Sequence, residues 1–441
     1  MKKQNVINNI KWVIVSLLIF LFAYMLQINL SVPLFLLSLI LYFKFSFPRV
    51  NQKSYTLLNL TLLFVLILAI SFFIIRQGWS VFLIPFCLVP MLATMLFNEL
   101  AVSLLITLAC AITISSLAPG NFYLFLLFLT NGVISIILLR EVRQRNAISK
   151  AGLVIGLSQA VTLFFLRGFN LDNFNPYLIL IANGIASSII AAGLLPIFEY
   201  LFNTTTNISL LEMTDFRNPI LQRMMIEAPG TYHHSLVVGN LSEAASQVVC
   251  AHALLARAGA YYHDIGKIFK PEYFSENQDI TGSKHDNLSA TISKMVIMNH
   301  VKEGVELAKK QRLNWRLIDF IQQHHGTSLV YYFYRRALEN LENEQEVEEE
   351  GFRYPGPKPN TRETAIVLLA DSVEAATRAL KEPGHANIEE LVHKVINNKF
   401  IDGQLDQCDL TLKDLEKISA VFIRILSGIY HNRVTYPEGP K

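Results

Sequence analysis

Histidine is missing from the first 232 residues, and all eleven of the chain's histidines fall after that point. An imidazole-based site in the first half is thereby excluded. Acidic residues are also scarce there: the first 200 residues hold 12 Lys and Arg against 4 Asp and Glu, leaving 26 against 31 for the remainder. The overall charge of +3 is thus the sum of a basic half and an acidic half, and it gives no reason to expect a nucleic-acid polymer as partner. Cysteine is rare as well. Cys87, Cys110, Cys250 and Cys408 show no C-x-x-C spacing, which excludes a thiolate-rich structural zinc site and gives no disulfide framework. Sustained apolar-polar alternation is absent from Ile220 to Asp319, so this part is expected to be all-α.

What is abundant is apolar side chain, 52% of 441 residues, too much for an ordinary soluble protein. A membrane crossing takes about 20 apolar residues. Eight segments approach this, at 11-28, 31-47, 56-75, 80-98, 100-118, 121-139, 151-167 and 176-200. Lys2, Lys3 and Lys11 come before the first long apolar run, but no A-x-A-like cleavage site follows, so a retained anchor is expected. Basic residues cluster at the N-terminus, at Lys44, Arg49 and Lys53, and at Arg140, Arg143, Arg145 and Lys150. With eight spans these clusters and the C-terminal half all share one side, which the positive-inside rule makes the cytoplasm. Asn131 and Asn183 are polar residues within spans, best read as interhelical hydrogen-bonding groups. Gly152 and Gly156 form a GxxxG, and Gly184, Ser188 and Ala192 a stripe of small residues. Both suit close helix packing, and neither is a strong sign of a dimer face.

The expected division is a polytopic α-helical membrane domain, 1-202, followed by an all-α domain, 203-441. Within the second, 203-230 reads as a connection and 339-360 as an acidic, Pro-rich loop. Its chemistry centres on GAYYHDIGK, where His263 and Asp264 are adjacent. An imidazole supplies one metal with nitrogen, and a carboxylate can bridge two metals with its two oxygens. Further candidates surround the pair: His233, His234, His300, His324, His325 and, in the apolar string LLADSVEAA, Asp371. A carboxylate buried in such a string is costly unless something cationic compensates it. Nitrogen and carboxylate donors without thiolate point to Fe, Mn or Zn. Two such metals sharing a carboxylate would activate water for attack on phosphorus, as in a phosphodiesterase.

Longer strings sharpen this. LLEMTDFRNPILQRMMIEAPGTYHHSL, GAYYHDIGK, HVKEGVELA, QQHHGTSLV, FRYPGPKP and LLADSVEAA carry a likeness that extends over essentially all of 205-432. With them the chain resembles the HD superfamily of metal-dependent phosphohydrolases. Within it, the likeness is to the seven-transmembrane HD family of bacterial cyclic di-AMP phosphodiesterases, the PgpH type. The resemblance implies two divalent metals, Fe or Mn. One would be held by His234, His263, Asp264 and Asp371, the other by His300, His324 and His325 with Asp264 bridging. His263, Asp264 and Lys267 would be the catalytic set, with Lys267 placed to meet substrate phosphate. His285 and Asp286 receive no metal role. Members usually carry a large extracellular domain between the first span and the next seven, where this chain has only Ile28 to Leu30, so regulation through such an external domain is not expected. The expected substrate is a cyclic dinucleotide, and the expected partners are the bilayer and a second copy of the chain. Two alternatives stand beside the cyclic di-AMP reading. One is a phosphodiesterase for cyclic di-GMP or another nucleotide, although no GYP follows His324 and His325. The other is a nucleotide-binding membrane receptor with an HD module.

Overall fold

The computed structural model describes residues 31-46, 56-118, 122-168, 174-278, 284-339 and 347-430, which are helical and carry a single isolated bridge, Leu329 to Arg353. They form two compact units that divide between Ser209 and Leu210.

The first unit contains α1 (Ser31–Ser46), α2 (Thr56–Arg76), α3 (Leu88–Phe97), α4 (Leu100–Leu117), α5 (Phe122–Leu139), α6 (Arg145–Arg167) and α7 (Asn175–Phe202). Runs of Leu, Ile and Phe form helices here because a lipid-facing backbone must satisfy its hydrogen bonds internally. Five of the helices, α2 and α4 to α7, are long and apolar enough to cross a membrane. The expected span 11-28 lies outside the described residues. The expected span 80-98 is not one continuous helix. A short 3-10 turn, Val81–Leu83, leads through extended Ile84 and Pro85 into α3, whose ten residues reach only about 15 Å. Proline at 85 can neither donate a backbone bond nor continue the turn.

The break is stabilised from a distant helix. Asn183 of α7 donates through Nδ2 to the carbonyls of Phe82 and Ile84, both at 3.1 Å. Asn131 serves in a similar way, accepting from the Ser158 hydroxyl at 2.7 Å and so joining α5 to α6. Replacing Asn183 by Ala strips two buried carbonyls of their partner, at a cost of roughly 1–3 kcal/mol each. The full chain in lipid nanodiscs should therefore melt at clearly lower temperature than an Ile189→Ala control on the exposed face of α7. Equal melting temperatures would refute this role for Asn183.

The small-residue stripes face each other inside the chain. A Cβ on Gly152 would lie 2.0 Å from Ser188 Oγ, and one on Gly156 would lie 2.6 Å from the Ile181 carbonyl oxygen. The GxxxG face is thus consumed by α6-α7 packing, leaving no dimer face there.

In the second unit α8 (Asn207–Met213), which straddles the division, and α9 (Pro219–Glu227) occupy the expected connection. Leu210, Ile220, Leu221 and Met224 from them are buried in this unit's core. Then follow α10 (Pro229–Val248), α11 (Ala253–Tyr262), α12 (Ala290–Lys310), α13 (Trp315–Gln323), α14 (Tyr331–Glu339), α15 (Arg362–Arg378), α16 (His385–Ile401) and α17 (Leu412–Ile429). Side-chain caps set several starts: Asn218, Ser289, Asn314, Thr361 and Thr411 each accept a bond from an orphan amide of the first turn. Helix α15 is buried on every side from Thr364 to Ala370 and carries Asp371 and Glu374 into the interior.

Candidate metal centre

Five helices and one 3-10 turn converge on Asp264. His234 comes from α10, His263 caps α11, and Asp264 precedes the turn Ile265–Phe269 that carries Lys267. His300 lies in α12, His324 caps α13 with His325 following, and Asp371 projects from α15. Close approach of backbones makes this convergence possible. A Cβ on Gly266 would stand 1.8 Å from the His300 carbonyl oxygen, so only glycine lets the HD turn rest on α12.

The donor atoms fall into two groups that share one residue: His234, His263, Asp264 and Asp371, and Asp264, His300, His324 and His325. The carboxylate of Asp264 is divided between them oxygen by oxygen. Its Oδ2 lies 3.2 Å from His263 Nε2 and 3.8 Å from His234 Nε2, while Oδ1 lies 3.3 Å from His300 Nε2 and 3.4 Å from His324 Nε2. Asp371 closes both sides, with Oδ1 3.0 Å from His234 Nε2 and Oδ2 3.5 Å from His325 Nδ1.

The far ring nitrogens determine how these imidazoles are presented. Nδ1–H of His263, His300 and His324 donates to the carbonyls of Ala260, Ile297 and Ile321, each three residues earlier. Nδ1–H of His234 donates to Glu374. The Nε2 lone pairs are thereby aimed at the centre, the arrangement by which an outer hydrogen bond orients a metal ligand. The Nε2 atoms of His300 and His324 stand only 3.2 Å apart, and two lone pairs in such a position require a cation between them or a proton on one.

Electrostatics points the same way. Burial alone would push the carboxyls of Asp264 and Asp371 upward, but the surrounding imidazoles, and Lys267 beside Asp264, hold both well below the usual range. Burial opposes a proton on His263, yet the two carboxylates outweigh it and raise its pKa to about 10. Burial, reinforced by neighbouring imidazoles, pulls His324 and His325 downward, so these rings are neutral donors. The centre therefore calls for positive charge. His263 Nε2 and both oxygens of Asp264 are buried without a hydrogen bond among the described residues, although Lys267 Nζ forms an ion pair with Oδ2 at 2.7 Å. Unsatisfied buried acceptors of nitrogen and carboxylate type fit divalent metal ions.

Residues 13–206 match the family described as 7TM receptor with intracellular HD hydrolase, and residues 231–376 match the HD domain. The chain belongs to this seven-transmembrane HD family. It is 36% identical over 426 residues to the cyclic-di-AMP phosphodiesterase PgpH of Bacillus subtilis (strain 168), covering 93% of this chain and 60% of that one. It is 37% identical over 366 residues to the PgpH of Listeria monocytogenes serotype 1/2a (strain 10403S), covering 81% and 50%. It thus spans about half to three fifths of the length of these curated relatives. The crystal structure of the L. monocytogenes PgpH HD domain in complex with cyclic di-AMP is similar at 44% identity and a TM-score of 0.46, covering 50% of this chain and 100% of that one.

The remaining HD-domain residues singled out in the sequence lie elsewhere. His233 is exposed on α10. His285 is buried against Tyr273 and Phe333, with Nε2 2.8 Å from the Tyr273 carbonyl. Sequence reasoning missed three neighbours of the centre. Glu374 orients His234, and its position three residues beyond Asp371 in an apolar string was the available signal. Glu276 takes a second bond from Lys267, at 2.7 Å. Tyr354 stacks on His325 with ring centroids 4.3 Å apart, an arrangement that spacing along the chain does not reveal.

Proposed function

We propose that the chain is a membrane-embedded, metal-dependent phosphodiesterase that opens cyclic di-AMP to the linear dinucleotide pApA. The observation that carries this reading is the divided carboxylate of Asp264, with one oxygen toward each histidine group. His234, His263, Asp264 and Asp371 would hold one divalent ion, and His300, His324 and His325 with Asp264 the second, with Fe or Mn suited to these donors. When bound, such a pair supplies positive charge to phosphate oxygens and a water activated for attack.

The chain's own residues do the positioning. Glu374 and the carbonyls of Ala260, Ile297 and Ile321 lock the imidazole tautomers. Lys267 balances the charge of Asp264 and Glu276, and its third N–H remains for a substrate phosphate. The adenine assignment draws on the likeness to the two cyclic-di-AMP phosphodiesterases. The basic clusters support a cytoplasmic position for the HD unit, where a nucleotide second messenger would reach it.

The test is turnover by the purified full chain, loaded with Mn(II) or Fe(II), of cyclic di-AMP and cyclic di-GMP side by side in oxygen-18 water. The expected product is pApA labelled on its new terminal phosphate, with turnover stopped by chelation and restored by metal. Tight binding without product would favour the receptor reading. Faster turnover of cyclic di-GMP would reassign the base.

A further inference from the structure

Lys399, near the end of α16, is a partly buried cation that the chemistry above leaves unused. Its ammonium donates to the Ser328 hydroxyl at 2.7 Å. Ser328 follows His325 by three residues, and its carbonyl accepts the Tyr354 N–H at 3.0 Å, while the Tyr354 ring covers His325. Lys399 is therefore linked through Ser328 and Tyr354 to the His325 side of the centre. That is the accessible side, because the His325 side chain is 21% exposed whereas the side chains of His234, His263, His300 and His324 are almost wholly buried.

Two other cations of this unit are matched in charge and Lys399 is not. Lys267 pairs with Asp264 and Glu276, and Arg353 pairs with Asp402 and Glu349. No carboxylate among the described residues forms an ion pair with Lys399. Asp371 and Asp402 attract it from farther away, and Arg353 repels it. An ammonium withdrawn from water beside a single neutral acceptor is costly until an anion meets it. The Ser328 hydroxyl, already accepting from Lys399, keeps its own proton to donate.

Resting on the dinucleotide reading above, we propose that Lys399 and Ser328 receive the second phosphate of a cyclic dinucleotide, the one not being cleaved. The pair would thus favour substrates with two phosphodiester groups over those with one. Lys399 is then a specificity-determining residue, with its charge held as a compact point donor toward phosphate.

The experiment compares kcat/KM of the metal-loaded full chain on cyclic di-AMP and on bis(p-nitrophenyl) phosphate, which has a single phosphodiester. Lys399→Met should lower the preference for cyclic di-AMP about 10- to 100-fold, mainly through KM, with Lys399→Arg restoring much of it. Ser328→Ala should lower it in the same direction by less. An unchanged preference in Lys399→Met, whether both activities fall together or neither falls, overturns the proposal and leaves the phosphodiesterase reading intact. A wild-type chain that cleaves the nitrophenyl ester but no cyclic dinucleotide overturns the substrate reading, and the second-phosphate site with it.

Discussion

Asp264→Ala should lose both metal ions and reduce turnover by at least about 10²–10³-fold, while far-UV circular dichroism stays close to wild type. The expectation follows from the division of one carboxylate between two groups, each oxygen within 3.4 Å of at least one imidazole nitrogen. Removing it deprives both groups of their shared anion. Four imidazoles and the Lys267 ammonium then face one another with too little negative charge between them. Helices α10, α11, α12 and α15 nevertheless keep their packing, because their core consists of Val238, Leu241, Ala258, Leu307, Ile366 and Leu369 rather than of the polar cluster. Metal content by elemental analysis and turnover on the same sample provide the check. Two metals per chain with normal turnover in Asp264→Ala would sink the bridging assignment.

Gly266→Ala should be nearly as damaging although it removes no functional atom. The added Cβ would stand 1.8 Å from the His300 carbonyl oxygen and 2.6 Å from the Gly304 amide nitrogen, both backbone atoms of α12. Neither can yield by a rotamer change, so α12 must shift by about an ångström or more and take His300 with it. Misplacement on this scale costs about 10²-fold in rate when groups must act together. The sharper signature is unequal metal loss, because His300 belongs to one donor group only while His234, His263 and Asp371 belong to the other. Metal content should fall toward one ion per chain in protein that retains its helical signal. If Gly266→Ala binds two ions and turns over normally, the turn does not need this close approach.

How far the centre was legible in the sequence depends on the residue. His263 and Asp264 are adjacent, and His324 and His325 are adjacent, so their chemistry can be read without a fold. Asp371 stood out because a carboxylate in LLADSVEAA needs a cationic partner. Glu374 carried the same signal and was overlooked, since a second acid near the first can also be read as solvated. Lys399 and Tyr354 gave no local signal at all. A lysine in VINNKF looks like any helix-surface lysine, and its partly buried, unpaired state arises only where α16 meets the loop after His325.

Hydropathy determined by itself that the first half is membrane helix and the second is not, because transfer of side chains between water and lipid is a sum over local residues. Residue identity likewise determined the donor types of the candidate metal centre, since imidazole and carboxylate chemistry travels with the residue. Tertiary structure alone decided the rest. The segment 80-98 averages to a span, yet its interruption relies on Asn183, about a hundred positions later, to satisfy the freed carbonyls. The GxxxG of α6 suits close packing against any helix, and only the apposition of Gly184 and Ser188 shows that it is spent within the chain. Likewise, the sharing of Asp264 between two groups of donors required five helices to converge, and contacts across such separations are not encoded in any one stretch.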